Sequence, residues 1–307
     1  MKKFFYAALL ASIGFAFQTN ANAQEILLGL DDGNNIIQVT DLAPGVGVPL
    51  GVAGLEANDN LVGIDFRPGT GQLYAIGSLN NVYTLNQTTF AATLLGNFAN
   101  DPAGPGALSG NQFAFDFNPA FTPNATQNAS GSFARIISDT GTNRVINGNT
   151  GEYLGGAKTP VAYPTGDSNF GNTANIQGIA YDNSFFGSTG TTQFGLDLQQ
   201  DVLTTVANNA GTLITVGGLG ADYVGEAGFD ISGASGIGFA TLQTTAGVSE
   251  LFQIDLASGT ASSLGQFGTA ESNIRSLTVV GAAVPEPSSL SLLGFGFAAL
   301  VARRRRS

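Results

Sequence analysis

Carboxylates are the side chains through which this chain could perform acid–base chemistry. Its 307 residues include no histidine and no cysteine, which removes histidine general bases, thiolate nucleophiles, disulfides and the usual zinc sites. Aspartate and glutamate can still act as an acid–base pair on a glycan or bind calcium through oxygen. Asp167, Asp222 and Glu226 are therefore the candidate acid and base of a polysaccharide hydrolase or lyase.

The same carboxylates lie close in sequence to tyrosines. Tyr163 precedes Asp167 in one long loop, and Tyr223 stands between Asp222 and Glu226 in another. Tyrosine rings suit the apolar faces of sugars, and carboxylates suit their hydroxyl groups. Long loops on a rigid scaffold commonly carry binding sites. These five residues are the predicted saccharide-binding set, although the same residue types also occur in ordinary loops.

A second cluster of oxygen ligands is the segment Asp31-Asp32-Gly33-Asn34-Asn35. Asp31 and Asp32 could bind calcium, because carboxylate and amide oxygens are the ligands that calcium prefers. The segment lacks the spacing and the terminal glutamate of an EF-hand, and a turn between two strands uses the same residue types. Calcium is one interpretation and a plain turn is the other. No further cofactor is expected.

Three more carboxylates recur at one position of an internal repeat. Asp65, Asp116 and Asp230 occupy that position in three units, while Ala180 and Thr278 occupy it in the other two. Repeated buried carboxylates can accept hydrogen bonds from backbone amides and fix the packing of neighbouring units. They could instead form a ring that holds a cation. Alanine and threonine at two of the five positions favour the structural role.

Short strands separated by turns must position all of these side chains. Apolar residues alternate in short runs bounded by Gly, Asn, Asp, Ser and Thr, which is typical of many short strands. Each repeat begins with a similar strand, and the third positions of these strands are 51, 64, 50 and 48 residues apart. The five opening strands are Gly63-Ile64-Asp65-Phe66, Ala114-Phe115-Asp116-Phe117, Gly178-Ile179-Ala180-Tyr181, Gly228-Phe229-Asp230-Ile231 and Ser276-Leu277-Thr278-Val279.

The two ends of this repeat region complement each other. Residues 26–51 look like a unit without its first strand, and residues 274–280 look like a first strand without its unit. Joined, they would make a fifth blade and close a ring. The chain is therefore predicted to be all-β, a β-propeller of about five four-stranded blades. A β-sandwich and a β-solenoid are the alternatives, since short alternating strands occur in all three.

Charge and length describe the body of the chain. Residues 24–283 carry 21 acidic and five basic side chains, a formal charge of −16. Such a surface repels nucleic acid and attracts cations, and it is also an ordinary exterior for an exported protein. About 260 residues can bury one large core. We therefore predict a single domain over residues 24–283 with no nucleic-acid partner.

The N-terminus has the pattern of a secretory signal peptide. Lys2 and Lys3 precede an apolar stretch from Phe4 to Phe17, and Ala21 and Ala23 supply the small residues that a signal peptidase requires. Residues 1–23 are therefore predicted to be removed, so that the mature chain begins at Gln24.

The C-terminus combines three elements in residues 284–307. A rigid step of Pro285, Glu286 and Pro287 is followed by thirteen apolar residues, 290–302, and then by a basic cluster of Arg303, Arg304, Arg305 and Arg306. The apolar run is shorter than the ~20 residues of a comfortable transmembrane helix. The arginines hold the end of the chain on the cytoplasmic side.

This tail closely resembles the PEP-CTERM sorting signal of Gram-negative bacteria that make exopolysaccharide. The resemblance implies transient anchoring in the inner membrane, cleavage by an exosortase, and export to the cell surface or extracellular matrix. The body, over residues 26–280, resembles the bacterial "domain of unknown function 4394" family through its opening strands, its Leu73-Tyr74-Ala75-Ile76 strand and its Leu-Gly endings. That resemblance implies a secreted, propeller-like domain and brings no established activity.

Together these features predict an exported, non-enzymatic protein of the biofilm matrix that binds exopolysaccharide or other matrix components after exosortase processing. One alternative is the carboxylate-dependent hydrolase or lyase, which requires two carboxylates facing each other across a cleft. The other is a structural module that is stabilised by calcium and has no further ligand.

Overall fold

The computed structural model describes residues 24–100, 107–120, 132–155, 158–269 and 272–280. The predicted signal peptide, with Ala21 and Ala23, and the predicted sorting tail lie outside the described residues. Within the described ranges, no helix has both the length and the apolar composition that a membrane crossing would require.

The described residues form short strands connected by turns, with three short 3-10 turns at Pro44–Val46, Phe98–Asn100 and Asn208–Ala210. The strands, in chain order, are β1 (Ile26–Asp31), β2 (Asn35–Thr40), β3 (Pro49–Gly51), β4 (Leu61–Phe66), β5 (Leu73–Gly77), β6 (Asn81–Leu85), β7 (Ala92–Asn97), β8 (Phe113–Asn118), β9 (Phe133–Ser138), β10 (Asn143–Asn147), β11 (Ile176–Tyr181), β12 (Gln193–Asp197), β13 (Val202–Ala207), β14 (Thr212–Gly218), β15 (Gly228–Ile231), β16 (Gly238–Thr245), β17 (Val248–Ile254), β18 (Ala261–Gln266) and β19 (Ile274–Val279).

These strands make five small antiparallel sheets, the blades of a β-propeller. Blade 1 is β4–β7, blade 3 is β11–β14, and blade 4 is β15–β18. Blade 2 has three strands, β8–β10, within the described residues, and Tyr153 adds an isolated bridge to Ile146 beside β10. The predicted all-β, five-bladed propeller is confirmed.

Blade 5 is built from both ends of the described chain, in the order β19-β1-β2-β3. Strand β1 pairs antiparallel with β19, so that Leu27 lies opposite Val279 and Gly29 lies opposite Leu277. The predicted joining of the two half-units is thus the closure of the ring. Closure leaves the sheets without long exposed edges, which is how a repeat of small sheets avoids edge-to-edge aggregation.

The apolar core is divided among the interfaces between neighbouring blades. One cluster joins blades 5 and 1 and includes Leu30 and Phe66; the next joins blades 1 and 2 and includes Val82 and Phe117. Three further clusters lie between blades 2 and 3, 3 and 4, and 4 and 5. Because each blade packs both faces against its neighbours, inner strands such as β4 and β5 are buried along their whole length, whereas outer strands such as β7 and β18 are exposed or half-buried.

The first strand of each blade lies at the centre of the ring. The residue at the first position of the repeat is small because a larger side chain would collide with the next blade. A Cβ added to Gly63 would lie 2.8 Å from Cβ of Phe115 in the next blade, and one added to Gly178 would lie 2.6 Å from Cβ of Phe229. Five strands can share one axis only where backbone approaches backbone. The recurring pattern of a small residue, an apolar residue and an aspartate therefore belongs to the ring centre.

Gly228 offers a direct test of this close approach. Alanine at this position would overlap the backbone nitrogen of Leu277. We expect Gly228→Ala to lower the free energy of unfolding by about 1–3 kcal/mol, as overpacked cores do. Urea unfolding would measure it, with Gly190→Ala as the matched control, since a Cβ on Gly190 meets nothing within 4 Å. Equal unfolding midpoints for the two variants would contradict the steric explanation.

Candidate functional site

The recurring aspartates lie at the axis and bond neighbouring blades together. The carboxylate of Asp65 in blade 1 accepts hydrogen bonds from the amide of Phe66 at 2.7 Å, the amide of Phe117 in blade 2 at 2.7 Å and the hydroxyl of Thr278 in blade 5 at 2.9 Å. One carboxylate thus connects three blades. The structural role that the repeat pattern favoured is what the geometry shows for this residue.

The other two aspartates continue this arrangement around the axis. Asp116 accepts from the amide of Tyr181 in blade 3 at 3.1 Å. Asp230 accepts from the amide of Val279 at 2.6 Å and from the hydroxyl of Thr278 at 3.1 Å, both in blade 5. Thr278 in turn accepts a weak bond from the amide of Phe66 at 3.4 Å. Each of these side chains bonds the amide that follows the equivalent position in the next blade.

Burial raises the pKa of all three axial carboxyls. Burial, followed by the charge of Asp230, raises the pKa of Asp65 well above its usual value; burial, followed by the charges of Asp65 and Asp230, does the same for Asp116. Burial is also the main cause that raises the pKa of Asp230 to about 7. Like charges so close in a dry interior are not all ionised together. Each axial aspartate therefore keeps its proton to a higher pH than an ordinary aspartate does.

The alternative of a cation at the axis has no support in this geometry. No group of three or more acidic side chains in the described ranges is arranged as a metal site. The accepted amide and hydroxyl bonds already use both oxygens of Asp65 and Asp230. The oxygen Oδ1 of Asp116 is buried without a hydrogen-bond partner, which a proton shared with the adjacent Asp65 would satisfy.

A small polar pocket, the axial mouth, lies where the central strands begin. Glu226 pairs with Arg275 at 3.4 Å, and the pocket also includes Asn111, Gln112 and Gln177. Its volume is about 10 Å³, enough for one water-sized molecule. Three buried polar atoms here have no hydrogen-bond partner: Oε1 of Gln177, Oε2 of Glu226 and Nε of Arg275.

The charge of Asp32, which was predicted for a different site, acts on Glu226 although Asp32 does not line the mouth. Burial raises the pKa of Glu226, the positive charge of Arg275 opposes the rise, and the nearby Asp32 adds to it. Asp32 itself accepts a hydrogen bond from the side chain of Asn273 at 3.3 Å. Asp31 lies elsewhere in the same turn, where its carboxylate accepts from the amides of Gly33 at 2.9 Å and Asn35 at 2.8 Å. Asp31 therefore fixes the turn between β1 and β2.

The predicted loop residues Tyr163 and Asp167 have structural contacts. Tyr163 is buried, and its hydroxyl donates to Asp197 at 2.6 Å. Asp167 accepts from the amide and the hydroxyl of Thr215, both at 2.8 Å, and from the amide of Asn169 at 2.9 Å. These bonds tie the loop to β14, the outer strand of blade 3, so neither residue reaches the axial mouth.

Tyr223 and Asp222, predicted for the same sugar-binding set, separate in the structure. Tyr223 is buried and packs edge-to-face on Phe252, with ring centroids 5.5 Å apart. Its amide donates to Asp201 at 2.9 Å. Asp222 is exposed on the loop. The structure thus does not gather the predicted residues into one site, and both predicted tyrosines pack inside the fold.

One cavity in the described part of the chain was not predicted from sequence. This lateral cleft, with a volume of about 400 Å³, lies between blades 2 and 3. Asn118 and Tyr181 are the last residues of the central strands β8 and β11, so the cleft lies at the end of the ring opposite the axial mouth. Its polar lining consists of Asn118, Arg135, Lys158, Tyr181, Asn208 and Asn209.

Arg135 is held rigidly in the wall of the lateral cleft. It is 5% exposed, and its guanidinium donates to the hydroxyl of Tyr181 at 3.0 Å, to the carbonyl of Asn208 at 2.9 Å and to the side chain of Asn209 at 3.1 Å. It also bonds the side chain of Asn143. All of these acceptors are neutral.

Lys158 brings a second positive charge to the lateral cleft. Burial and then the charge of Arg135 lower the pKa of Lys158, which shows that the two cations lie close together. Its ammonium donates to the carbonyl of Gly155 at 3.2 Å and lies 6.0 Å from the centroid of the Tyr153 ring. Sequence reasoning counted Arg135 and Lys158 only toward the net charge. The body has only five basic residues, and this rarity was the feature of the sequence that could have pointed to Arg135 and Lys158 as binding residues.

The fold and the axial bonds define a closed five-bladed β-propeller. A family profile described as "Domain of unknown function (DUF4394)" matches residues 35–278, and the chain belongs to this family. The profile of the PEP-CTERM protein-sorting motif matches residues 283–306, which include the Pro-Glu-Pro step and the arginines. Both predicted resemblances are confirmed. The sorting motif implies an exported, envelope-associated protein that an exosortase processes.

Solved structures provide distant likenesses. A protein of unknown function from Bacteroides caccae is 12% identical, with 78% of this chain and 72% of that chain covered and a TM-score of 0.39. A chain of a nidogen/laminin complex is 11% identical, with 83% and 98% covered and a TM-score of 0.44. No curated protein matches the chain.

Proposed function

We propose that this propeller is a non-enzymatic matrix protein that binds exopolysaccharide at the cell surface or in the extracellular matrix. In this proposal a signal peptidase removes residues 1–23, the sorting tail anchors the chain transiently in the inner membrane, and an exosortase then releases the body. The sorting motif supports the route.

The lateral cleft is the observation on which the binding function rests. A volume of about 400 Å³ falls within the ordinary range of small-ligand pockets and has room for one or two sugar units. Its wall combines side-chain amides of Asn118, Asn208 and Asn209 with the hydroxyl of Tyr181. Amides and hydroxyls both donate and accept, as the hydroxyl groups of a sugar do.

The candidate catalytic carboxylates support binding over hydrolysis. Asp167 is bonded to the outer strand of blade 3 through Thr215, whereas Glu226 pairs with Arg275 at the axial mouth. A glycosidase needs its two carboxyl groups roughly 5 to 9.5 Å apart across one cleft. The raised pKa of Glu226 is nevertheless a property of general acids, so the hydrolase or lyase is the second candidate.

Co-sedimentation with the producing organism's own exopolysaccharide tests the proposal. Residues 24–283 enclose the whole closed ring, and we expect them to pellet saturably with the polymer and to generate no new reducing or unsaturated ends. Dextran serves as the control polymer, and parallel tubes contain calcium or a chelator. New ends that disappear in Glu226→Gln would establish the enzyme instead. Pelleting no greater than with dextran would refute the binding function.

The calcium alternative has its own measurement in the same preparation. An ion that binds only the folded protein stabilises it by an amount that grows with the logarithm of the ion concentration above Kd, and so raises the melting temperature. We expect calcium and chelator to leave the melting temperature unchanged, because Asp31 is already bonded to the amides of Gly33 and Asn35. A melting temperature that rises with calcium and falls with chelator would favour the calcium-stabilised module.

A further inference from the structure

We propose that the lateral cleft between blades 2 and 3 binds the carboxylate of an acidic sugar unit, with Arg135 and Lys158 supplying the positive charge. This inference rests on the proposed function and adds the chemical class of the polymer that the cleft selects. It predicts a preference for uronic acids over neutral sugars of the same shape.

Positive charge is scarce in the body and is concentrated at the lateral cleft. The body has only five basic residues and a formal charge of −16, yet two of the five line the same cavity. The lateral cleft thus brings two of the five basic side chains of an acidic body to one cavity, and a cluster of positive charge attracts and orients an anion.

Arg135 makes its hydrogen bonds to neutral groups. Its guanidinium is almost fully buried among hydroxyl, carbonyl and amide oxygens and has no carboxylate partner among the contacts found. Asp116 lies opposite Arg135 in the pairing of β8 with β9, but its carboxyl accepts from the amide of Tyr181 and makes no hydrogen bond with the guanidinium. The hydrogen bonds of Arg135 therefore do not supply a direct ionic partner that would offset its desolvation. A ligand carboxylate in the cleft would supply it, with charge-assisted bonds that are about twice as strong as neutral ones.

A second buried arginine shows that neutral partners alone do not make a site. Arg67, between blades 1 and 2, bonds the side chain of Asn149 at 2.8 Å and Ser132 at 3.3 Å and is 4% exposed. It lines neither the axial mouth nor the lateral cleft. Arg135 differs because a cavity of about 400 Å³ opens beside it and Lys158 lies nearby. Two cations on one cavity repel each other, and an anion between them relieves that repulsion.

The guanidinium of Arg135 is held rigidly before any ligand binds. Arg135 is fixed by Tyr181, Asn208 and Asn209, which come from β11 and from the 3-10 turn after β13. Tyr181 is fixed in turn by its bond to the side chain of Asn208 at 2.6 Å. A preorganised cation loses little conformational entropy when the ligand binds. Asn118 and Asn208 also line the cleft, and the NH2 groups of their side chains are the atoms we expect to donate to the hydroxyl groups of the sugar ring.

Isothermal titration of residues 24–283 with four ligands tests the inference. We expect galacturonate to bind at least about tenfold more tightly than galactose, and its affinity to fall at high salt as charge attraction is screened. Acetate and inorganic sulfate test whether the sugar ring matters, and both are expected to bind more weakly than galacturonate. Equal affinity for galactose and galacturonate overturns the inference, and so does equal affinity for acetate or sulfate.

A pair of variants locates the binding to the lateral cleft. Lys158→Gln removes one of the two charges and is expected to weaken galacturonate binding by about tenfold, the loss expected for one charge-assisted contact. Arg144→Gln removes the same charge from β10, where Arg144 bonds the carbonyl of Asn143 and does not line the cleft. It is expected to bind as the unchanged protein does. An equal effect of the two variants overturns the assignment, and melting temperatures confirm that both are folded.

The outcomes separate this inference from the proposed function. Saturable pelleting with exopolysaccharide without any preference for galacturonate would leave the proposed function standing and refute the inference. A preference for galacturonate without pelleting would refute exopolysaccharide binding and retain the acidic-ligand site.

Discussion

Replacing Asp65 with alanine is expected to lower the free energy of unfolding by about 3–5 kcal/mol, a loss typical of breaking a buried hydrogen-bonded carboxyl group. The change leaves the amide of Phe117 without an acceptor, the amide of Phe66 with only its weak bond to Thr278, and the hydroxyl of Thr278 with only Asp230 as a carboxyl partner. Those groups belong to three different blades, so the loss affects the whole closure. Urea unfolding followed by circular dichroism would measure it.

Two control variants sharpen this prediction. Asp65→Asn keeps an acceptor oxygen and resembles the protonated acid, so we expect about 1–2 kcal/mol of destabilisation, comparable to one weakened buried hydrogen bond. Asp222→Ala removes an exposed carboxylate and is expected to change stability by less than about 0.5 kcal/mol. If Asp65→Ala unfolded at the same urea concentration as Asp222→Ala, the axial bonds would not be what holds the blades together.

The second large effect is an unusual dependence of stability on pH. Asp230 has a pKa of about 7 in the folded protein, chiefly because it is buried, against 3.8 for an ordinary aspartate. Between these values the folded state binds a proton that the unfolded state does not. Stability is therefore greatest below about pH 4 for this group and is lost as the pH rises through 7. Asp65 and Asp116 act in the same direction.

We therefore expect the propeller to be more stable at pH 5 than at pH 8, by a few kcal/mol of unfolding free energy. The three axial aspartates produce this slope, and the charge of Glu25 adds to the raised pKa of Asp230. Asp255 accepts a hydrogen bond from the amide of Ala257, and its pKa is lowered. Carboxylates of this kind stay ionised from pH 5 to pH 8 and so do not change stability between these two values. Melting temperatures measured across this pH range would test it.

Asp230→Asn supplies the matched variant for the pH prediction. Asparagine has no proton to lose, so the variant should show a shallower fall in melting temperature between pH 5 and pH 8. Asp222→Asn, on the surface, should retain the full slope. A melting temperature that rises from pH 5 to pH 8 in the unchanged protein would show that the axial carboxyls are ionised and stabilised by some other group.

Much of the fold follows from local sequence patterns. The spacing of the opening strands gave five units, and the incomplete units at residues 26–51 and 274–280 gave the closing blade. These predictions succeeded because a propeller repeats one supersecondary unit, so its period is written along the chain. The prediction of four strands in every blade holds for four of the five sheets, since blade 2 has three strands in the described residues.

The candidate site followed from sequence only in part. Asp65, Asp116 and Asp230 were found because they share a repeat position, and their role at the axis agreed with the expected amide bonding. The tyrosines Tyr163 and Tyr223 were expected in a binding loop and are buried in the fold instead. The local sequence around a tyrosine in a polar segment does not show whether its ring faces a ligand or packs on a neighbouring strand.

The sequence by itself determined that the protein carries a sorting motif, that its body is an all-β repeat, and that the two incomplete units close the ring. A motif depends on residues close together in sequence, and a repeat depends on a regular period. Only the tertiary structure decided which side chains meet. Arg135 on β9 and Lys158 after β10 lie beside Tyr181 and Asn208, which belong to the next blade. Contacts between blades join residues some 50 positions apart in sequence, and no local pattern records which faces will be packed together or where a cavity will remain.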